Sequence, residues 1–301
     1  MSHAHHDHSH HHSVPANLTK AFVIGIVLNI IFVLLEAGAG LWLNSLSLLS
    51  DAGHNLSDVI SLILALAAIK ISQKKPNDRY TFGYSKSTTL ASLFNAILLM
   101  VAVGAIGWEA ISRFGQTQAI NGLWITAVSA VGIVINTITA LLFLKDKDRD
   151  INVKGAYLHM AADALVSLGV VISGIIMMYT GWYWIDSFMS LVIILVIIAG
   201  TWGLLKESLR LSLDGVPQGV DLTAIREYLK NINGVQEVHD LHVWALSTTD
   251  NSLTAHLVLT EDQQENLLPL IHDDLFHKFN IGHATIQLEE PGNQEQCLHT
   301  H

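Results

Sequence analysis

Apolar runs of nearly membrane-crossing length fill the first two-thirds of the chain and then stop. A helix needs about 20 apolar residues to cross the hydrocarbon core of a bilayer. Six stretches meet or approach that length: 19–43, 46–70, 88–113, 121–144, 154–179 and 184–206. They predict six transmembrane helices. Past residue 207 the period changes. Asp221–Asn233 sets Ile225, Tyr228, Leu229 and Ile232 on one helical side, and Gln264–Phe279 reads as a second helix. Val235–Leu246 and Ser252–Leu259 read as strands around a turn at Thr248-Thr249-Asp250-Asn251, and Ala284–Leu288 as a last strand. The order αββαβ predicts a small α+β, ferredoxin-like unit. The chain divides into a flexible tail at 1–17, a membrane domain at 18–207, a soluble domain at 208–291 and a short tail at 292–301.

Composition supports this division. Half of the residues are hydrophobic and 14% are charged, which excludes a disordered chain and points to a membrane protein. The net charge of −10 is uneven: residues 212–301 hold 14 acidic side chains against Arg226, Lys230 and Lys278. An acidic domain argues against nucleic acid and suits cations. The single cysteine, Cys297, rules out an intrachain disulfide framework and fits a reducing compartment. The hydrophilic N-terminus lacks the basic region of a cleavable signal peptide.

Basic residues in short loops set orientation. Lys70, Lys74, Lys75, Arg79 and Lys86 lie between the second and third stretches, and Lys145, Lys147, Arg149 and Lys154 between the fourth and fifth. The first-to-second and fifth-to-sixth connections hold no Lys or Arg, so both termini are expected on the cytoplasmic side. Trp182-Tyr183-Trp184 suits the outer interface. The basic 145–154 loop, free of histidine, suggests a bacterial inner membrane rather than an organelle.

The chemistry sits in two cassettes inside apolar stretches, His54-Asn55-Leu56-Ser57-Asp58 and His159-Met160-Ala161-Ala162-Asp163. Residues four apart on a helix project from one face. Ionisable groups at membrane depth are expensive and mark a pathway or site. Two imidazoles and two carboxylates suit tetrahedral Zn²⁺, and the two negative charges balance one divalent cation. Metal and protons compete for the same lone pairs, so exchange of Zn²⁺ for H⁺ at one site is expected. Asp51, one turn before His54, reads as a helix cap or water ligand, with proton relay as the alternative. Glu36 is a second relay candidate beside a tethering role, while Asn29, Asn95 and Asn136 read as helix-to-helix hydrogen bonds. His3, His5, His6, His8, His10, His11 and His12 form a biased tract read as a zinc-collecting arm.

Taken together, Leu49-Ser50-Asp51-Ala52-Gly53-His54, His239-Asp240-Leu241-His242-Val243-Trp244 and His283-Ala284-Thr285-Ile286-Gln287 resemble signatures of the cation diffusion facilitator family, in its bacterial zinc-resistance branch. The resemblance spans almost the whole chain. It implies a homodimeric, proton-coupled exporter that moves Zn²⁺, with Cd²⁺ a frequent second substrate, out of the cytoplasm by alternating access. It also implies that His54 governs selectivity. By the same resemblance His239, His256, His283 and Glu289 match ligands for a cytoplasmic zinc, and Cys297 is either a further ligand or a free surface thiol. His242, His272 and His277 are expected to be structural or solvated. Tyr80 and Tyr84 stand where one branch carries loop histidines, so no zinc is expected there. Lys86 and Asp214 match a charge pair beneath the membrane that holds the protomers and could act as a hinge.

No nucleotide motif, phosphate loop or extramembrane Ser-His-Asp cluster is visible, so an enzyme is not expected. Two other classes stay open at this stage. A passive metal channel would use the same ligands without moving protons, and a membrane-anchored sensor would bind metal without transport.

Overall fold

The computed structural model describes residues 16–42, 46–112, 122–180, 182, 184–260 and 267–291, with some side chains inside these helices, those of Asp51 and His54 among them, outside the description. The histidine tract at 3–12 and Cys297 also lie outside the described residues. The described residues form eight helices and one three-stranded sheet.

The six apolar stretches are the long helices α1 (Ala16–Trp42), α2 (Leu46–Ser72), α3 (Lys86–Ser112), α4 (Gly122–Leu144), α5 (Ile151–Thr180) and α6 (Trp184–Ser212). Their packing inverts that of a soluble protein. Leu34, Leu35, Leu41 and Trp42 of α1 point outward, as do Leu195 and Trp202 of α6. Asn29, Glu36, Asn55, Asp58, Asn136 and His159 are buried instead. So large an apolar exterior calls for a lipid or protein cover. Among the described residues two spans, Thr19–Ala39 and Lys86–Ala105, are long and apolar enough to cross a membrane by themselves.

Inside the bundle α1 packs on α2 and α4, α5 on α4, α6 and α2, and α3 on α6 and α2. Buried polar pairs pin these contacts. Asn29 Nδ2 donates to the Gly25 carbonyl at 2.9 Å and reaches Thr139 Oγ1 of α4 at 3.5 Å. Ser92 and Ser208 join α3 to α6 at 2.7 Å, and Asn95 Nδ2 of α3 donates to the Ser61 carbonyl of α2 at 3.4 Å. Helix α6 runs to Ser212, beyond the apolar stretch that ends at 206, because Ser208 and Leu211 still bury against the bundle after the outward positions turn polar. Just past its end, Asp214 Oδ1 accepts a hydrogen bond from Lys86 Nζ at 2.5 Å within the same chain, and Lys86 also donates to the Leu211 carbonyl at 3.2 Å. Both partners are exposed, so the pair contributes about 0–1 kcal/mol.

The C-terminal unit has α7 (Leu222–Lys230), β1 (Val235–Ala245), β2 (Asn251–Leu259), α8 (Leu267–Phe279) and β3 (Ile281–Glu289), in the αββαβ order. Asp221 caps α7 by accepting from the amides of Thr223 and Ala224. The sheet order is β1-β2-β3, with β1 antiparallel to β2 and β2 parallel to β3. Ile225 and Leu229 of α7 and Ile271 and Leu275 of α8 bury against Val243, Leu253 and Leu257 of the sheet.

Asp274 of α8 accepts from Lys278 Nζ at 2.8 Å and from the Tyr228 hydroxyl of α7 at 2.6 Å, and these donors hold its carboxyl below the usual carboxylate range. Burial, aided by Asp274, pushes the Tyr228 phenol up. A depressed carboxyl stabilises the fold above its unfolded-state value, and that stability disappears as pH falls through the folded-state value. Asp274→Asn should therefore melt earlier than wild type near neutral pH, and the gap should close toward acid. A gap of equal size across the pH series would show that the effect is not the charge on Asp274.

The domain touches the bundle through the turn between β1 and β2. Thr248 Oγ1 donates to Asp150 Oδ2 at 2.6 Å, and the Thr248 amide donates to Thr88 Oγ1 of α3 at 3.1 Å. Asp150 Oδ1 meanwhile accepts from the amides of Asn152 and Val153, which caps the N-terminus of α5.

Candidate metal centres

Among the described residues, two groups of three ligand-type side chains converge with their donor atoms within 4.8 Å of one another. One is inside the bundle and one is on the sheet.

The bundle group joins Asp58 of α2 to His159 and Asp163 of α5. The four-residue spacing stacks His159 and Asp163 on the face of α5 that looks at α2. His159 Nε2 lies 2.5 Å from Asp58 Oδ1 and 3.7 Å from Asp163 Oδ2. Ligands around a tetrahedral Zn²⁺ at about 2.0 Å stand about 3.3 Å apart, so these separations need only small rotamer changes to accept the ion. Asp58 Oδ2 is buried without a hydrogen-bond partner among the described residues, as expected for an oxygen meant for a cation. His54 lies one turn before Asp58 on α2. Next to it, Asn55 Nδ2 donates to Glu36 Oε2 of α1 at 2.7 Å, which ties α1 to the cassette and leaves Glu36 within one residue of the site.

The sheet group is His239 of β1, His256 of β2 and Glu289 of β3. His239 and His256 are cross-strand partners, with ring centroids 5.1 Å apart. Glu289 is 5% exposed and reaches both: Oε2 is 2.9 Å from His239 Nε2, and Oε1 is 2.8 Å from His256 Nδ1. The second contact does not complete a hydrogen bond, and His256 Nδ1 has no hydrogen-bond partner among the described residues. Two imidazole nitrogens and one carboxylate make a donor set that suits Zn²⁺ with a fourth position free. These three residues fit such an ion.

Sequence reasoning placed His283 in this group, and the structure does not bring it there. Strand β3 begins at Ile281, earlier than expected, so His283 lies inside the strand, six residues before Glu289. That is about 20 Å along an extended chain. Its exposed ring sits edge-on to Phe82 of the 73–85 loop, centroids 5.4 Å apart. In that loop Tyr80 stacks near Tyr84, whose hydroxyl takes a hydrogen bond from Asn77.

Two neighbours of the sheet group went unnoticed in the sequence. Gln287, paired with His256 in the strand register, donates from Nε2 to Glu289 Oε1 at 3.1 Å and fixes that carboxylate. Asp240 occupies a bulge with φ +49°, which swings its carboxylate to 2.8 Å from His242 Nε2 and 3.7 Å from His256 Nε2. The His242 hydrogen bond, with weaker attraction from the other imidazoles, holds the Asp240 carboxyl below its ordinary value. An acidic residue between His239 and His242, three residues apart, is the available signal; the glutamine gives none.

Similarity to known proteins agrees with both halves. Residues 22–211 match the model of the cation efflux transmembrane domain, and residues 217–291 match that of the cation efflux protein cytoplasmic domain. The chain is 35% identical over 296 residues to the "Cadmium, cobalt and zinc/H(+)-K(+) antiporter" of Bacillus subtilis, covering 96% of this chain and 94% of that protein. It is 38% identical to the "Metal cation efflux system protein CzcD" of Cupriavidus metallidurans over 94% of this chain and 89% of that one. The "Zinc transporter ZitB" of Escherichia coli is 34% identical over 99% of this chain and 96% of its own length. With both domain models matched in order and relatives aligned nearly end to end, the chain belongs to the cation efflux family, the cation diffusion facilitators, in the branch of the zinc, cobalt and cadmium transporters.

Proposed function

We propose that this protein is a secondary antiporter that exports Zn²⁺, and with it Cd²⁺ and other divalent transition metals, from the cytoplasm in exchange for protons. The carrying observation is the 2.5 Å approach of His159 Nε2 to Asp58 Oδ1. A proton bridging this pair and a metal ion need the same lone pairs, and the same two atoms are the natural metal ligands. Metal can enter only as that proton leaves, which couples the two flows at one place. His54, Asp58, His159 and Asp163 form the transport site in this reading, with His54 contributing most to the choice of metal. The names of the relatives support the ion and the coupling.

All six long helices cross the membrane in this reading, a bacterial inner membrane with both termini on the cytoplasmic side. Two chains pair through the acidic cytoplasmic domains. Zn²⁺ at His239, His256 and Glu289 stiffens that domain when cytoplasmic zinc rises. The histidines at 3–12 raise the local metal concentration and are dispensable for transport.

The test is purified protein in vesicles carrying an internal pH reporter. Zinc uptake should drive protons the opposite way, and an imposed pH gradient should set its rate. Zinc flux without proton movement would replace the antiporter with a channel, and zinc binding without flux would leave a sensor.

A further inference from the structure

Asp58 and His159 form part of the wall of a cavity of about 20 Å³ between α2, α3, α5 and α6. Its other polar lining is Ser61 and Asn95, and the rest is apolar, with Leu62, Leu99 and Leu204 prominent. The volume suits one water molecule or one cation stripped of most of its shell. The cavity follows α2 from Asp58 toward Ala65 and α5 from His159 back toward Gly155. Both directions lead to the end of the bundle where Asp150 meets Thr248, the side of the C-terminal domain.

Asn95 stands on α3, outside both cassettes. Its amide nitrogen is committed to the Ser61 carbonyl, which fixes the amide plane. Its Oδ1 is buried with no partner among the described residues, as is Oδ2 of Asp58, itself 2% exposed. A buried oxygen without a donor is costly, so two such oxygens on residues that line one small cavity call for positive charge or bound water. A carboxylate oxygen among the two favours a cation. A neutral amide oxygen beside a carboxylate makes a weaker, harder donor set than the imidazole-rich quartet, and weak sites in series let an ion move on.

Resting on the transport reading above, we infer that Asn95 contacts the metal. Its Oδ1 and Asp58 Oδ2 form a staging site on the domain side of the quartet. There a partly hydrated divalent cation waits before His159 and Asp163 take it. Asp58 belongs to both sites and hands the ion across.

The experiment uses full-length protein in vesicles, with initial rates measured against Zn²⁺ concentration for wild type, Asn95→Leu and Asn95→Asp. Asn95→Leu removes the oxygen and should raise KM about tenfold with kcat little changed. Asn95→Asp keeps an oxygen but loses the donor to Ser61, and its KM should be at or below that of wild type. An unchanged KM in Asn95→Leu overturns the staging site. An equal KM rise in both variants overturns it too, since the lost helix tether would then be the cause. If Asn95→Leu does not reconstitute, Asn95→Asp decides alone, a raised KM counting against the site. Wild type that moves zinc without protons, or moves none, would instead overturn the transport reading itself.

Discussion

Asp58→Ala is expected to cut initial-rate zinc transport by a factor of about a hundred or more. Its carboxylate is 3% exposed and faces His159 across 2.5 Å, so the substitution removes a ligand and half of the site's negative charge together. What remains on the described side is an imidazole 3.7 Å from Asp163. Such a pair holds a divalent cation poorly and balances only half its charge. The measurement is zinc flux into vesicles at a concentration below the wild-type KM, with zinc binding by the cytoplasmic domain measured alongside to show that the chain has folded. A loss smaller than tenfold would remove Asp58 from the transport site.

Glu289→Ala should weaken zinc binding at the sheet group by about a hundredfold. One buried carboxylate reaches both imidazoles there, and its removal leaves His239 and His256 facing each other without an anion between them. Equilibrium binding in an Asp163→Ala background isolates this group from the bundle site. Unaltered affinity would mean that zinc in this domain sits elsewhere.

The parts of this design that follow a regular period were visible in the sequence. His159 and Asp163 could be assigned to one helical face because a helix of uniform pitch leaves no choice, and Asp58 meets them because α2 and α5 pack together. Asn29 and Asn95 were read as helix tethers, and both make such bonds. Broken periodicity hid the rest. Strict alternation in β1 fails at Asp240, where a residue with positive φ adds a bulge between His239 and His242. That bulge gives Asp240 its reach to His256. His283 stands apart from His239, His256 and Glu289 because the start of β3 depends on its parallel pairing with β2, in which Ile281 already faces Asn251. A pairing between strands separated by a helix leaves no mark in either strand alone. The end of α6 was cut short for a similar reason: once the outward residues become polar, only the burial of Ser208 and Leu211 against neighbouring helices reveals that the helix continues.

The contact of Thr248 with Asp150 bears on how this chain could be divided or recombined. Along the chain the natural cut falls after Ser212, where the last bundle helix ends. The hydrogen bonds set a different seam, one that passes through the start of α5 and the tip of the β1–β2 hairpin. A chimera joined after Ser212 that borrows a relative's C-terminal domain must bring a hydroxyl to the place of Thr248, or Asp150 keeps its cap on α5 but loses its grip on the hairpin. Insertions at the hairpin tip would break the same contact, although such a tip ordinarily tolerates them. The two halves are separate units in sequence, yet they can only be exchanged together with the residues that join them.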